Sequence, residues 1–314
     1  MAALTRRRML LSALGTGPVL AVAPSAYISA AASSDPRKVP RTDLATLLQT
    51  EQFNLKSDNG TEYVVQVGLP HAVDPDLPLM VRGRKPVTLF VLDGNENFGL
   101  VRDLTRMMQW GGDVPPCLVV GVTYPPQYLD LPVSVKNPRT YDLTPTAHGG
   151  MEDELPGASE GGGGPAYLKF LLTKLKPVIE QRYDVDNSVS VLIGHSLGGL
   201  FVIGAATQSH GGFRHYLALS PSLWWDQRFE LLRFERTLKK GFHHDGRLAV
   251  YVGEREEHIS GAYPSMVGDV IALKGVLENY PNAFEKNLIQ VLPEEDHHTL
   301  QGTALSRGLR FLLS

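Results

Sequence analysis

Six short runs of apolar or β-branched residues recur at wide spacing along the chain, at residues 87–92, 118–122, 189–193, 216–219, 248–252 and 288–292. None keeps a strict in–out alternation, which is what parallel strands covered on both faces show. Helix-period stretches lie between them. Residues 165–183 place Leu168, Leu171, Leu172, Leu175 and Ile179 on one face, with Pro177 marking a kink. Residues 197–208, 263–279 and 300–312 are the other strong helix candidates. Ahead of these, residues 47–69 read as a hairpin turned at Asn59-Gly60, a pair suited to a type I′ turn. A hairpin followed by alternating strands and helices predicts an α/β fold, a doubly wound and mostly parallel sheet with an antiparallel N-terminal hairpin.

The first 32 residues stand outside this pattern. Arg6, Arg7 and Arg8 precede an apolar, small-residue run, and a cluster of alanines closes it at Ala30-Ala31-Ala32. That order predicts a secretory signal peptide over 1–32, and Thr5-Arg6-Arg7-Arg8-Met9-Leu10 resembles a twin-arginine signal. The expected partner of this leader is the twin-arginine export machinery, and the expected destination is the bacterial periplasm or the medium. The apolar run is shorter than the roughly 18–20 residues that span a bilayer, so no lasting membrane insertion is expected after cleavage. Residues 33–45 read as a polar tether and 46–314 as the folded domain.

Composition adds little but excludes much. The 314 residues are 43% hydrophobic and carry a formal charge of −3, which falls to 27 − 33 = −6 without the leader. That balance gives no electrostatic reason to expect nucleic acid. Cys117 is the sole cysteine and lies in an apolar run, as a buried strand thiol would. Residues 149–164 form an acidic insert in which seven of sixteen positions are glycine. Its four consecutive glycines lack the Lys-Ser/Thr ending of a phosphate loop, so no nucleotide cofactor is expected. The stretch is either a surface insertion or an active-site lid. The pairs His243-His244 and His297-His298 lack the His-Glu-x-x-His spacing of a zinc hydrolase, so no metal is expected either.

The chemistry concentrates at Gly194-His195-Ser196-Leu197-Gly198-Gly199. Glycines two positions either side of a serine let the chain turn sharply from strand to helix and expose the hydroxyl at the sheet's carboxyl edge. An apolar strand precedes Ser196 and a helical pattern follows it, as such an elbow requires. A serine nucleophile needs a base, which in this topology follows the last strand. His297, after Pro293 ends that strand, is the favoured base, with His298 beside it. The acid belongs after residues 248–252, where Glu256 is favoured over Glu254, Glu257 and Asp226. The oxyanion needs two N–H donors, expected from Leu197 and from Asn95 in the turn after residues 87–92.

These residues together resemble the esterase branch of the α/β-hydrolases, and within it the enterochelin/salmochelin trilactone esterases. The likeness rests on Leu92-Asp93-Gly94-Asn95, Arg139 with Asp142-Leu143-Thr144-Pro145, residues 163–170 and residues 177–183. Residues 194–201, Ser220-Pro221-Ser222-Leu223-Trp224-Trp225 and Glu295-Asp296-His297 complete it. The chain departs from that pattern where His298 replaces the usual glycine after the base. The resemblance implies an α/β-hydrolase fold, a serine esterase acting on a small-molecule ester, and a pocket in which Arg139 and Trp224 or Trp225 touch substrate. Some relatives look like Ser–His dyads. Read from the residues alone, Arg139 is either such a contact or a structural ion pair. Two adjacent indoles in extended chain cannot both face inward, so at least one is expected in the cleft. Acyl transfer from the same serine, or ligand binding without turnover, are the alternative functions.

Overall fold

The computed structural model describes residues 47–70, 84–125, 138–147, 161–208, 212–258 and 266–314. The leader, the tether and most of the acidic insert lie outside the described residues. The compact unit spans Leu47–Ser314.

Eight strands form one sheet in the order β1-β2-β4-β3-β5-β6-β7-β8. β1 (Thr50–Lys56) and β2 (Glu62–Gly68) pair antiparallel, and β2 pairs antiparallel with β4 (Cys117–Thr123). From β4 onward every pairing is parallel, through β3 (Val87–Val91), β5 (Ser190–His195), β6 (His215–Leu219), β7 (His244–Gly253) and β8 (Phe284–Leu292). The predicted doubly wound sheet with its hairpin edge is therefore the observed one. The turn differs in detail. Of the central pair only Gly60 is left-handed, at φ 87°, and Asn59 Oδ1 instead accepts the Thr61 N–H at 3.1 Å. The loop runs over five residues, not two, because Ser57 N–H already bonds Thr61 O across it at 2.9 Å.

Both sheet faces are covered, and successive strand residues serve opposite cores. Leu89, Val91, Val191, Ile193, Leu217 and Leu219 pack with α1 (Gly94–Gly111) and α8 (Leu300–Leu313). Phe90, Leu92, Leu192, Tyr216 and Ala218 belong to the other core, with α3 (Gly164–Phe170), α4 (Lys176–Arg182), α5 (Leu197–Gln208), α6 (Trp225–Lys239) and α7 (Met266–Asn279). Two-sided burial is why the strands read as unbroken apolar runs. Cys117 is buried, and burial pushes its thiol up to about 12. The kink marked by Pro177 is a π-helical turn, Leu171–Leu175, in which Lys176 N–H reaches back to Leu171 O. The turn precedes a ring that cannot donate a helix hydrogen bond. Helices α1 and α6 were not among the strong candidates. α6 buries Leu231, Phe234 and Leu238 at helical spacing among many charged residues, and its first turn holds three left-handed residues, Asp226, Gln227 and Arg228.

The short helix α2 (Pro138–Leu143) has six residues, too few to persist alone. Asp142 anchors it to the sheet, accepting Tyr63 O–H at 2.8 Å and Tyr124 O–H at 3.1 Å on one carboxylate oxygen. Burial pushes the Asp142 carboxyl up to about 7, against the downward pull of the two phenol donors. An acid whose folded pKa is raised holds its proton more tightly when folded. Stability from it is therefore present at low pH and falls as pH climbs from about 4 toward 7. Replacing Asp142 by Asn should remove that slope. The variant is expected to gain on the order of 2–4 kcal/mol relative to wild type between pH 4 and pH 7.5. Urea unfolding across that range measures it, and a difference that stays flat with pH would show Asp142 ionising like an exposed carboxylate.

Candidate active site

Ser196 sits between the end of β5 and the start of α5 with φ 59°, a left-handed conformation that costs an L-residue roughly 1–2 kcal/mol. Three backbone hydrogen bonds hold it there. Its N–H donates to Leu219 O at 3.0 Å, and its carbonyl accepts from Leu200 N–H at 3.0 Å and Ser222 N–H at 3.1 Å. A Cβ on Gly194 would lie 2.3 Å from Gly198 O, and one on Gly199 would lie 2.8 Å from Leu219 O. Gly194 and Gly199 thus answer to close backbone approach, whereas a Cβ on Gly198 would meet the Asp93 carboxylate at 3.3 Å. Ser196 Oγ lies 3.4 Å from Ser222 Oγ, its one hydrogen-bond partner among the described residues.

Behind the elbow, the ring of His297 stands 4.5 Å from that of His195, centroid to centroid. His195 Nε2–H donates to the His297 carbonyl at 2.7 Å. His297 Nδ1 lies 2.7 Å from Glu256 Oε2, in a 3₁₀ turn, Glu254–His258, that directly follows β7. Glu256 is wholly buried, and its Oε1 accepts Ser220 O–H at 2.6 Å and Gly253 N–H at 2.7 Å. A carboxylate so saturated with donors stays in place and fixes Nδ1 as the protonated nitrogen, leaving Nε2 as the basic one.

The loop carrying His297 is stitched to the same turn. Arg255 N–H donates to Glu295 O at 3.0 Å, and a Cβ on Gly253 would fall 2.4 Å from that carbonyl. Asp296 Oδ1 accepts the N–H groups of His298 and Thr299, both at 2.9 Å, closing the loop into α8. His298 is exposed, with its backbone N–H held by Asp296, and the rival Glu254 is an exposed side chain bonded to Glu294 N–H. Ser220, which carries the resemblance but had no role assigned from sequence, lies just past β6 with φ 41°, the same strained-turn conformation as Ser196.

The two expected oxyanion donors open helices. Leu197 starts α5, and Asn95 is the second residue of α1. First-turn N–H groups have no intrahelical acceptor. Asp93 O takes those of Glu96 and Asn97, both at 3.0 Å, which leaves the Asn95 N–H out of that arrangement. Asp93 itself is left-handed and buried, and Arg139 grips its carboxylate with both forks, Nε–Oδ1 at 2.8 Å and Nη2–Oδ2 at 3.0 Å. Burial draws the Arg139 guanidinium down, but Asp93 more than offsets it and holds the guanidinium above its ordinary value. Of the two roles open to Arg139, the ion pair is the one seen.

Both indoles are largely buried. Trp224 is 8% exposed and Trp225 1%, and Trp225 Nε1–H donates to Thr146 Oγ1 at 3.0 Å. In extended chain one ring would face outward, but Trp224 is helical, at φ −65° and ψ −19°, so both rings turn into the core. The last residues of the acidic insert are also tightly placed. A Cβ on Gly161 would sit 2.4 Å from Thr146 O, and one on Gly163 2.3 Å from the Tyr141 ring. These glycines bring the chain against α2 and the segment after it.

Comparison with known proteins gives the arrangement a family. The Esterase family model matches residues 59–260. The chain belongs to this esterase family. Ferri-bacillibactin esterase BesA of Bacillus subtilis is 28% identical over 242 residues, covering 72% of this esterase and 78% of the relative. The siderophore triacetylfusarinine C esterase of Aspergillus fumigatus is 30% identical over 224 residues, covering 68% and 70%. Among solved structures, the BES protein of Bacillus cereus superposes with a TM-score of 0.69 at 24% identity, over 88% of this esterase and 98% of that chain. The enterobactin and salmochelin hydrolase IroE gives 0.63 at 22% identity, over 84% and 95%. The esterase hydrolyses ester bonds, and its fold is that of these hydrolases. Among the described residues, no helix is long and apolar enough to cross a membrane.

Proposed function

We propose that the esterase cleaves carboxylic esters through an acyl-serine intermediate, with Ser196 as nucleophile, His297 as base and Glu256 as its orienting acid. The observation that carries this is the Glu256–His297 hydrogen bond of 2.7 Å, with His297 O bonded to His195 at 2.7 Å, the residue joined to a serine held left-handed at a strand-to-helix elbow. Ser196 Oγ attacks the ester carbonyl and its proton passes to His297 Nε2. Buried Glu256 stabilises the imidazolium, and the N–H groups of Leu197 and Asn95 hold the developing oxyanion. Collapse of the tetrahedral intermediate breaks the C–O bond, and His297 returns the proton to the departing alcohol. Water, deprotonated by the same imidazole, then releases the acid from Ser196.

The relatives named for ferri-bacillibactin, triacetylfusarinine C and enterobactin point to siderophore-type lactones or esters as the substrate class. Residues 1–32 are read as the export leader that delivers the folded enzyme outside the cytoplasm. Incubation with a fluorophosphonate probe and peptide mass spectrometry tests the mechanism. The adduct is expected on Ser196, and an unlabelled but active enzyme would overturn it. Hydrolysis of a trilactone siderophore compared with p-nitrophenyl acetate tests the substrate class.

A further inference from the structure

The histidine immediately before the proposed nucleophile is not idle. His195 ends β5 in register with Leu219 of β6 and is buried. Its Nε2–H donates to the backbone carbonyl of His297 at 2.7 Å, across 102 positions of sequence, and its ring lies 4.5 Å from the His297 ring at 43°. A nitrogen facing a carbonyl must carry the proton, so the neutral ring is the Nε2–H tautomer. Burial above all, helped by the nearby Arg139 guanidinium and outweighing the upward pull of the carbonyl hydrogen bond, holds His195 down to about 3, so it stays neutral through the physiological range.

We propose that His195 is a positioning residue that sets the reach of the base: its hydrogen bond to the His297 carbonyl fixes the backbone of the residue whose ring Glu256 fixes by Nδ1. This rests on Ser196 and His297 being nucleophile and base. Two clamps, one on the peptide and one on the ring, determine where Nε2 points. The peptide clamp belongs to the residue covalently joined to Ser196, so nucleophile and base share one frame. The clamp must also be neutral, because a cation there would oppose the imidazolium formed when His297 takes the serine proton.

Misplacing a reacting group by about 1 Å costs on the order of 100-fold in rate. His195→Phe keeps the ring bulk and removes the donor. It is expected to lower kcat about 10- to 100-fold with KM held within about twofold, as loss of a transition-state alignment does. His195→Asn, whose amide is one methylene short, carries the same expectation if the Phe variant proves insoluble. His195→Gln places a neutral N–H at a similar reach and should restore kcat to within about threefold of wild type. Low-field proton NMR supplies a second readout. The His297 Nδ1–H resonance should stay sharp in wild type and His195→Gln, and broaden or vanish in His195→Phe or His195→Asn.

A folded His195→Phe with wild-type kcat overturns the inference, as does a lower melting temperature with kcat unchanged, or a Gln variant as slow as Phe. Ser196→Ala separates the two levels. If it retains turnover, the underlying reading fails. If it is inactive while His195→Phe turns over normally, only the role of His195 fails.

Discussion

Ser196→Ala is expected to lower kcat/KM for ester hydrolysis by at least about 10⁴-fold, with the fold intact. The reason for the magnitude is that alanine removes the attacking atom while leaving the helix-start N–H groups and the binding surface in place. Those retain some rate over uncatalysed hydrolysis, but no acyl-enzyme can form. The reason for the intact fold is that Ser196 is held by its backbone: Leu219 O, Leu200 N–H and Ser222 N–H all bind main-chain atoms of Ser196. Alanine and serine suffer similarly from the left-handed φ of 59°. Steady-state hydrolysis of a p-nitrophenyl ester, alongside circular dichroism, reads both halves. Combining Ser196→Ala with His297→Ala should cost little more than the first alone, because nucleophile and base act as a unit. Full additivity, or turnover within tenfold of wild type, would remove Ser196 from the reaction.

Glu256→Gln should lower kcat by about 10³- to 10⁴-fold with little change in KM. The carboxylate has two acceptor oxygens, one taken by Ser220 O–H and Gly253 N–H, the other by His297 Nδ1–H. An amide has only one oxygen. If that oxygen keeps the Ser220 and Gly253 donors, the NH₂ faces His297 and forces the ring proton onto Nε2, where a base needs a lone pair. If the amide turns the other way, the NH₂ meets two donors in a site without solvent. The first arrangement predicts a folded, slow enzyme and the second an unstable one. Thermal unfolding together with kcat distinguishes them. A folded variant within tenfold of wild-type kcat would mean that the site runs as a Ser–His dyad, with Glu256 structural.

Some of this was legible without coordinates because it is local. Gly-x-Ser-x-Gly encodes a bend whose clashes arise within five residues, as the 2.3 Å approach of a Gly194 Cβ to Gly198 O shows. The strands were legible because burial on both sides leaves an unbroken apolar run, and Pro293 gave the point where β8 must release the chain toward His297. Helix α6 escaped because its buried apolar positions, Leu231, Phe234 and Leu238, are few among charged neighbours, so its apolar stripe is narrow. The inward turn of Trp224 and Trp225 was hidden for a related reason, since side-chain direction follows backbone torsion, and torsion at that corner is set by neighbours distant in the chain.

The amino-acid sequence by itself determined the succession of strands, most of the helices and the elbow, because each depends on periodicity or on steric demands between near neighbours. Tertiary structure alone decided which carboxylate is buried against His297, that Arg139 closes on Asp93, and that His195 holds the carbonyl of His297. Those pairings join residues 41, 46 and 102 positions apart. Their strength comes from burial and direction, which exist only once the sheet has brought its strand ends together.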